Sequence, residues 1–238
     1  YLSRIANDGR DARHLGEKVS DVTIHPQFKN TVASYAELYD FQCRPENLAH
    51  MTFESPDSGD RVNRAWYCPR SYEELVSRRE AMVSWNEVHY GFLGRSPDHV
   101  ASTLAGLYMG LDTFEGYDPA RASALADYYR YARDNDLFVT YTIINPQGDR
   151  TRPAHDQADE FMTMRVLDRD TKGIVVKGAK MLGTSCLMAD EVFVSCIQPL
   201  GKGDEPYAVS CVIPMNAAGL TIMSRKSYEG VAHSMFDN

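Results

Sequence analysis

The chain has 238 residues, with 25 Lys and Arg against 33 Asp and Glu, a formal net charge of −8. That acidic balance excludes a surface built to neutralise a phosphate backbone, and 43% hydrophobic with 24% charged residues excludes the charge-heavy profile of disorder. No run reaches the roughly 18 apolar residues of a membrane helix and no basic-then-apolar leader opens the chain, so a cytoplasmic protein without nucleic-acid or membrane partners is expected.

From the N-terminus, Tyr35-Ala36-Glu37-Leu38-Tyr39 is a short helical candidate and Ser71 to Gly94 the clearest long one. Pro69 precedes the long one, Ser71 and Glu74 have capping-box spacing, Leu75, Met82, Trp85 and Val88 approximate one apolar stripe, and Gly94 offers a stop. Ser96 as cap and Pro97 as first helical residue open the next helix, which should run to about Leu111. Asp118-Pro119 repeats that opening for an Ala- and Tyr-rich helix ending around Asn135.

From Leu137 the texture turns β-like, with short Val-, Ile-, Thr- and aromatic-rich runs at Leu137 to Ile144, Phe161 to Leu167, Gly173 to Lys177, Glu191 to Ile197, Tyr207 to Ile213 and Gly219 to Ser224. The pattern predicts an α+β protein: a helical domain over 1–138, then a small β-barrel or sandwich over 139–238. The chain opens on Tyr1 rather than Met and closes on Ser234 to Asn238 without a tidy terminal element, which reads as a piece of a longer protein.

The five cysteines, Cys43, Cys68, Cys186, Cys196 and Cys211, include no CxxC pair and give no disulfide framework, so free thiols are expected and no metal site. GxGxxG after a strand, GxxxxGK[ST], HExxH and GxSxG are all missing, and Gly201-Lys202-Gly203 reads as a hairpin turn.

Three less generic stretches remain. In Gly94-Arg95-Ser96-Pro97-Asp98-His99 an Arg precedes a helix start and a His lies in its first turn, where the helix dipole attracts an anion and keeps the imidazole neutral. A guanidinium beside a neutral imidazole suits a phenol that must lose its proton; a plain helix start with solvated Arg and His suits the same residues. Thr140 to Arg150 is a strand running into Asn-Pro-Gln-Gly-Asp, where Gly148 allows close backbone approach, Tyr141 and Gln147 offer hydrogen bonds and Arg150 could meet a phosphate, or where turn chemistry is the whole story. Val175 to Ser185 combines a strand, a bend at Gly178 and the hydroxyl pair Thr184-Ser185, and equally suits an edge strand protected by lysines.

Together these stretches resemble the large oxygenase component of the two-component flavin-dependent phenol hydroxylases, the 4-hydroxyphenylacetate 3-monooxygenase family. The likeness extends to Tyr1-Leu2 through Asp8-Gly9-Arg10, Val19 through Phe28, Tyr35 to Asp40, Pro69-Arg70-Ser71, Gly173 to Thr184 and Ala189-Asp190-Glu191, all in the family's order. The resemblance implies an acyl-CoA-dehydrogenase-like fold with a C-terminal helical bundle, missing from this chain, that drives homotetramer formation.

It also implies an activity: FAD, supplied as reduced FADH2 by a separate NAD(P)H-dependent reductase, is used with dioxygen to hydroxylate a small phenolic substrate ortho to its hydroxyl. By that resemblance Arg95, His99 and Tyr141 are catalytic, and Arg95, Ser96, His99 and Tyr141 bind substrate. Tyr141, Thr142, Ile143, Ile144, Gln147, Gly148, Asp149, Arg150 and Thr184 contact the flavin. A free phenol has a pKa of about 10, so the site must favour phenolate. The family commonly has Tyr at the position of His99 and His at that of Tyr141, so the two residue types are exchanged here. Two alternatives stand beside this reading. A 4-hydroxybutyryl-CoA dehydratase-like flavin lyase needs two cluster-ligating cysteines where Tyr90 and Gly94 stand; the other alternative is a truncated, non-catalytic binding module.

Overall fold

A computed structural model of the chain describes residues 1–171 and 173–226. The terminal stretch Ser234 to Asn238 and the last part of the expected β domain lie outside the described residues. The first half carries helices α1 (Leu2–Ile5), α2 (Lys29–Cys43), α3 (Pro45–Met51), α4 (Tyr72–His89), α5 (Asp98–Met109), α6 (Leu111–Glu115) and α7 (Pro119–Asp134). Four short strands are interleaved with them, β1 (Asp11–His14), β2 (Glu17–Val19), β3 (Thr52–Glu54) and β4 (Arg61–Asn63), which a purely helical reading of this half omits. The strands that follow are β5 (Val139–Thr142), β6 (Arg165–Asp170), β7 (Gly173–Lys177), β8 (Glu191–Val194), β9 (Cys211–Pro214) and β10 (Thr221–Ser224).

Helix starts follow their local chemistry. The Ser71 hydroxyl accepts from Glu74 N at 3.2 Å, and the Glu74 carboxylate turns back onto Arg70 N at 2.6 Å. Asp118 Oδ1 accepts from Ala120 N and Arg121 N, with Pro119 opening α7. The opening of α5 differs from expectation: Pro97 itself is the cap, no side chain caps the helix, and the Ser96 carbonyl accepts from His99 N at 3.1 Å.

The stop of α4 also moves. Tyr90 (φ 53) and Gly91 (φ 76) take the left-handed conformation first, so the helix ends before Gly94, which shapes the following turn instead. Of the expected stripe on α4 only Trp85 is fully buried, joined by Ala81, while Leu75 is 49% exposed. The candidate around Tyr35 extends into the fifteen-residue α2.

The strands after residue 138 do not close into a barrel among the described residues. One sheet has the order β5-β8-β9, with β5 parallel and β9 antiparallel to β8; β6 and β7 form a separate hairpin; and β10 runs parallel to β1 in the sheet β10-β1-β2. The expected strand at Phe161 begins only at Arg165, because Asp159 Oδ1 accepts from Phe161 N at 2.8 Å and holds that segment in a turn. Likewise Glu205–Tyr207, with Pro206 inside it, forms a 3-10 turn, so β9 starts at Cys211.

Two apolar clusters form the core, one around Tyr35, Leu38, Trp85, Phe138 and Val192, the other around Trp66, Leu104, Tyr129 and Val139. Each draws residues from both sides of residue 138. The N-terminus is stitched to the far end of the chain: buried Arg10 donates to Leu187 O (2.8 Å) and Ala189 O (3.1 Å) while paired with Asp8, and Arg4 bridges Asp190 at 2.9 Å.

Candidate active site

The site grows from the junction where the α4–α5 turn meets β5 and the turn that follows β7. After Tyr90 and Gly91, Gly94 (φ 66) lets the chain double back, and Arg95 N closes onto Leu93 O at 2.6 Å. This aims the Arg95 side chain across to β5. Its Nη2 and Nε donate to the Tyr141 hydroxyl at 2.9 and 3.3 Å, the guanidinium carbon lies 5.3 Å from the Tyr141 ring centre, and Nη1 donates to Gly94 O. The fork therefore already holds a phenolic oxygen.

His99, in the first turn of α5, puts its ring 5.1 Å from that of Tyr141. Partial desolvation first, and then the positive charge of Arg95, hold its pKa below the ordinary histidine value, with Asp98 opposing. Both causes favour the neutral imidazole, and neither is the helix dipole of the sequence-based expectation. Arg95, His99 and Tyr141 are thus brought together. Ser96 lies between Arg95 and Pro97, and contributes its carbonyl to the turn.

On β5 the side chains alternate. Thr140 donates to Thr184 O, and Thr142, buried, donates to Met181 O at 2.9 Å, so these two hydroxyls tie β5 to the segment 181–184. Beyond the strand, Ile144 O accepts from Met181 N at 2.9 Å. The Thr142 side chain is consequently occupied by the fold, while Thr184 is exposed. A Cβ built on Gly94 would lie 3.8 Å from Thr184 Cγ2, so the two turns touch. Gly178 permits the bend before this segment, with φ 121 and a Cβ position 2.5 Å from Thr163 O.

The rest of the second stretch forms one wall of an open cleft of about 780 Å³, within the usual range for small-molecule sites. Ile144, Gln147, Arg150, His155, Leu200 and Lys202 line it. Arg150 donates to Gln147 Oε1 at 2.6 Å, and Asp149 Oδ1 accepts from Thr151 N and Oγ1. Gly148 serves its own loop: a Cβ there would stand 2.6 Å from both Gln157 Oε1 and Met162 Sδ. Buried Asp204 pins His155 to the 201–204 turn, accepting from His155 N (3.0 Å), the His155 ring (2.8 Å) and Gly201 N (3.0 Å).

Sequence reasoning missed this His155–Asp204 pin, and also the contacts by which Tyr35 and Ser185, the latter noted only as half of a hydroxyl pair, hold the Arg95 turn from behind. No local pattern marks such contacts, because their partners lie 49 to 150 positions apart. All five cysteines are free. Among the described residues no cluster of His, Cys, Asp and Glu could hold a metal ion, and no helix is long and apolar enough to cross a membrane.

The chain resembles known proteins in sequence and in fold. The family model for the N-terminal part of 4-hydroxyphenylacetate 3-hydroxylase matches residues 1–238. The 4-hydroxyphenylacetate 3-monooxygenase oxygenase component of Geobacillus sp. (strain PA-9) is 35% identical over 96% of this chain and 46% of its own length. That of Thermus thermophilus is 36% identical over 100% and 48%. The 4-nitrophenol 2-monooxygenase oxygenase component of Rhodococcus sp. is 34% identical over 96% and 43%. The chain thus spans about half the length of these relatives.

A solved 4-hydroxyphenylacetate 3-monooxygenase oxygenase component, complexed with FAD and 4-hydroxyphenylacetate, matches with a TM-score of 0.88 at 33% identity, over 97% of this chain and 47% of that one. An archaeal 4-hydroxybutyryl-CoA dehydratase from N. maritimus matches with a TM-score of 0.82 at 22% identity, over 95% and 45%, a likeness of fold alone. The fold is acyl-CoA-dehydrogenase-like, as the resemblance implied. With the model matched along its whole length, the chain belongs to the 4-hydroxyphenylacetate 3-hydroxylase family, in the region that the N-terminal model describes.

Proposed function

We propose that this chain is the N-terminal and central portion of the oxygenase component of a two-component FAD-dependent monooxygenase that hydroxylates a phenol ortho to its hydroxyl. The observation that carries the reading is the Arg95 fork closed on the Tyr141 phenolic oxygen beside His99. A substrate phenol entering there meets the same donors. Arg95 has to do most of the work, because His99 is a weak base: a phenol near pKa 10 and an imidazole below about 6.5 leave a gap of roughly 5 kcal/mol against proton transfer. The guanidinium narrows that gap by stabilising phenolate, His99 Nδ1 or Nε2 accepts the proton, and Tyr141 orients the ring.

The residues present fit FAD. The cleft is polar, walled by Gln147, Asp149 and Arg150, and the exposed Thr184 hydroxyl lies on the turn that touches the Arg95 turn. In this reading the backbone of Tyr141, Thr142, Ile143 and Ile144 and the side chains of Gln147, Arg150 and Thr184 hold the flavin, with Gly148 and Asp149 shaping the loop. When bound, reduced FAD supplies the electrons that activate dioxygen. The reductant comes from a separate NAD(P)H-dependent reductase, and the complete protein is a cytoplasmic homotetramer.

The substrate class is a small phenol. Exchange of the His and Tyr positions relative to the family pattern brings the base from the α5 wall, so 4-hydroxyphenylacetate itself is expected to be a poorer substrate than another phenol. The test uses the full-length protein loaded with FAD. Rapid mixing with NADH alone should leave the flavin oxidised, and adding a flavin reductase and a phenol panel should yield ortho-hydroxylated products. Direct flavin reduction by NADH at catalytic rates would sink the two-component reading.

A further inference from the structure

Tyr35 lies in the middle of α2 and is only 1% exposed, yet its hydroxyl reaches past the core to the joint between two turns. It donates to Arg95 O at 2.9 Å, with Leu93 O at 3.2 Å, and it is hydrogen-bonded to the Ser185 hydroxyl. Burial pushes the Tyr35 phenol up to about 12, so it keeps its proton across the physiological range. That single proton goes to the Arg95 and Leu93 carbonyls, and Ser185, with its own proton, donates to the Tyr35 oxygen.

Both turns need such a clamp. Leu182 (φ 61) and Ser185 (φ 68) are left-handed without being glycine, and Thr184 N closes onto Leu182 O at 3.0 Å. Backbone of this kind persists only where its surroundings over-determine it. On the other side Gly94 (φ 66) and the tight Arg95–Leu93 closure leave the Arg95 backbone little slack. The two turns touch at Gly94 and Thr184.

We infer that Tyr35 and Ser185 are positioning residues that fix Arg95 relative to Thr184, and through them the bound phenol relative to the flavin. The inference rests on the phenol-hydroxylase reading. Neither hydroxyl touches the substrate; both act through the Arg95 backbone, from behind the guanidinium. A phenylalanine at position 35 fills the same space, so packing does not require the hydroxyl. Without it Arg95 O keeps only the long Ser185 Oγ contact at 3.4 Å and Leu93 O only the Arg95 N–H, and the turn is free to rotate the fork away from Tyr141.

The test uses full-length protein with FAD, 4-hydroxyphenylacetate as the probe and the variants Tyr35→Phe, Ser185→Gly, Arg95→Ala and the Tyr35→Phe/Arg95→Ala pair. Glycine suits φ 68, so Ser185→Gly removes the hydroxyl without adding strain. Calorimetric probe affinity should fall about ten-fold in Tyr35→Phe and Ser185→Gly, and the share of reduced FAD lost as hydrogen peroxide should rise several-fold. The double variant should lose no more affinity than Arg95→Ala alone. Additive losses overturn the inference. If Arg95→Ala weakens the probe while Tyr35→Phe and Ser185→Gly change neither affinity nor peroxide, the inference fails and the functional reading stands. If Arg95→Ala leaves affinity intact, the functional reading fails and the inference falls with it.

Discussion

Arg95 commits two of its donors to a tyrosine hydroxyl and a third to its own turn, a costly use of a guanidinium unless a phenol oxygen is what that fork is for. Removing it should cost hydroxylation roughly 10²- to 10³-fold with the fold intact, and lysine should restore only part, lacking the planar fork. Steady-state turnover and a melting curve on the same samples check this; unchanged turnover in Arg95→Ala contradicts it.

The charge of Arg95 also depresses His99, so Arg95→Ala should raise the His99 pKa toward its ordinary value, read directly by NMR titration of the ring. With His99 as the proposed base, phenol hydroxylation should decline as pH falls through that depressed pKa, below about 6.5. His99→Phe should lose this acid limb and Tyr141→Phe should keep it; the reverse pattern would move the base to Tyr141. Arg95 and His99 were legible in the sequence because a helix start is a local event. Tyr35 and Ser185 were not, since a hydroxyl meeting a carbonyl 60 positions away leaves no spacing to read.

At the scale of elements, the helix openings at Ser71 and Asp118 form from their capping residues as the sequence indicates, while the stop of α4 moves several residues earlier and the start of α5 moves by one. Both shifts come from the crowded turn between them, where three left-handed residues share eight positions with Pro97. Strand boundaries were less legible, because β5 and β8 pair in parallel across about fifty residues and β1 finds β10 across more than two hundred, contacts that alternation alone does not specify. The bend that delivers Thr184 depends on Gly178. Gly178→Ala would put a Cβ 2.5 Å from the Thr163 carbonyl at φ 121 and should destabilise the protein by on the order of 3 kcal/mol. A denaturant midpoint equal to that of the parent would contradict this account of the bend.

Across the whole molecule, both cores and the N-terminal stitches join the helices to the sheet that carries Tyr141. Arg10 is the most buried of these stitches, so Arg10→Met, which takes the guanidinium from Asp8 and leaves the carbonyls of Leu187 and Ala189 without their donor, should cost about 3 kcal/mol. Equilibrium unfolding measures it, and a loss near zero would mean that water replaces the guanidinium.

In the proposed function the Arg95–His99–Tyr141 constellation prepares a phenol for oxygen transfer from a reduced flavin. The most direct measurement supplies the full-length protein with chemically reduced FAD, a phenol and ¹⁸O-labelled dioxygen, with no nicotinamide present, and analyses the product by mass spectrometry. One labelled oxygen is expected on the ring carbon next to the hydroxyl, and it should be lost in Arg95→Ala. Consumption of the reduced FAD entirely as hydrogen peroxide for every phenol tried, with no labelled ring product, would contradict the proposed function.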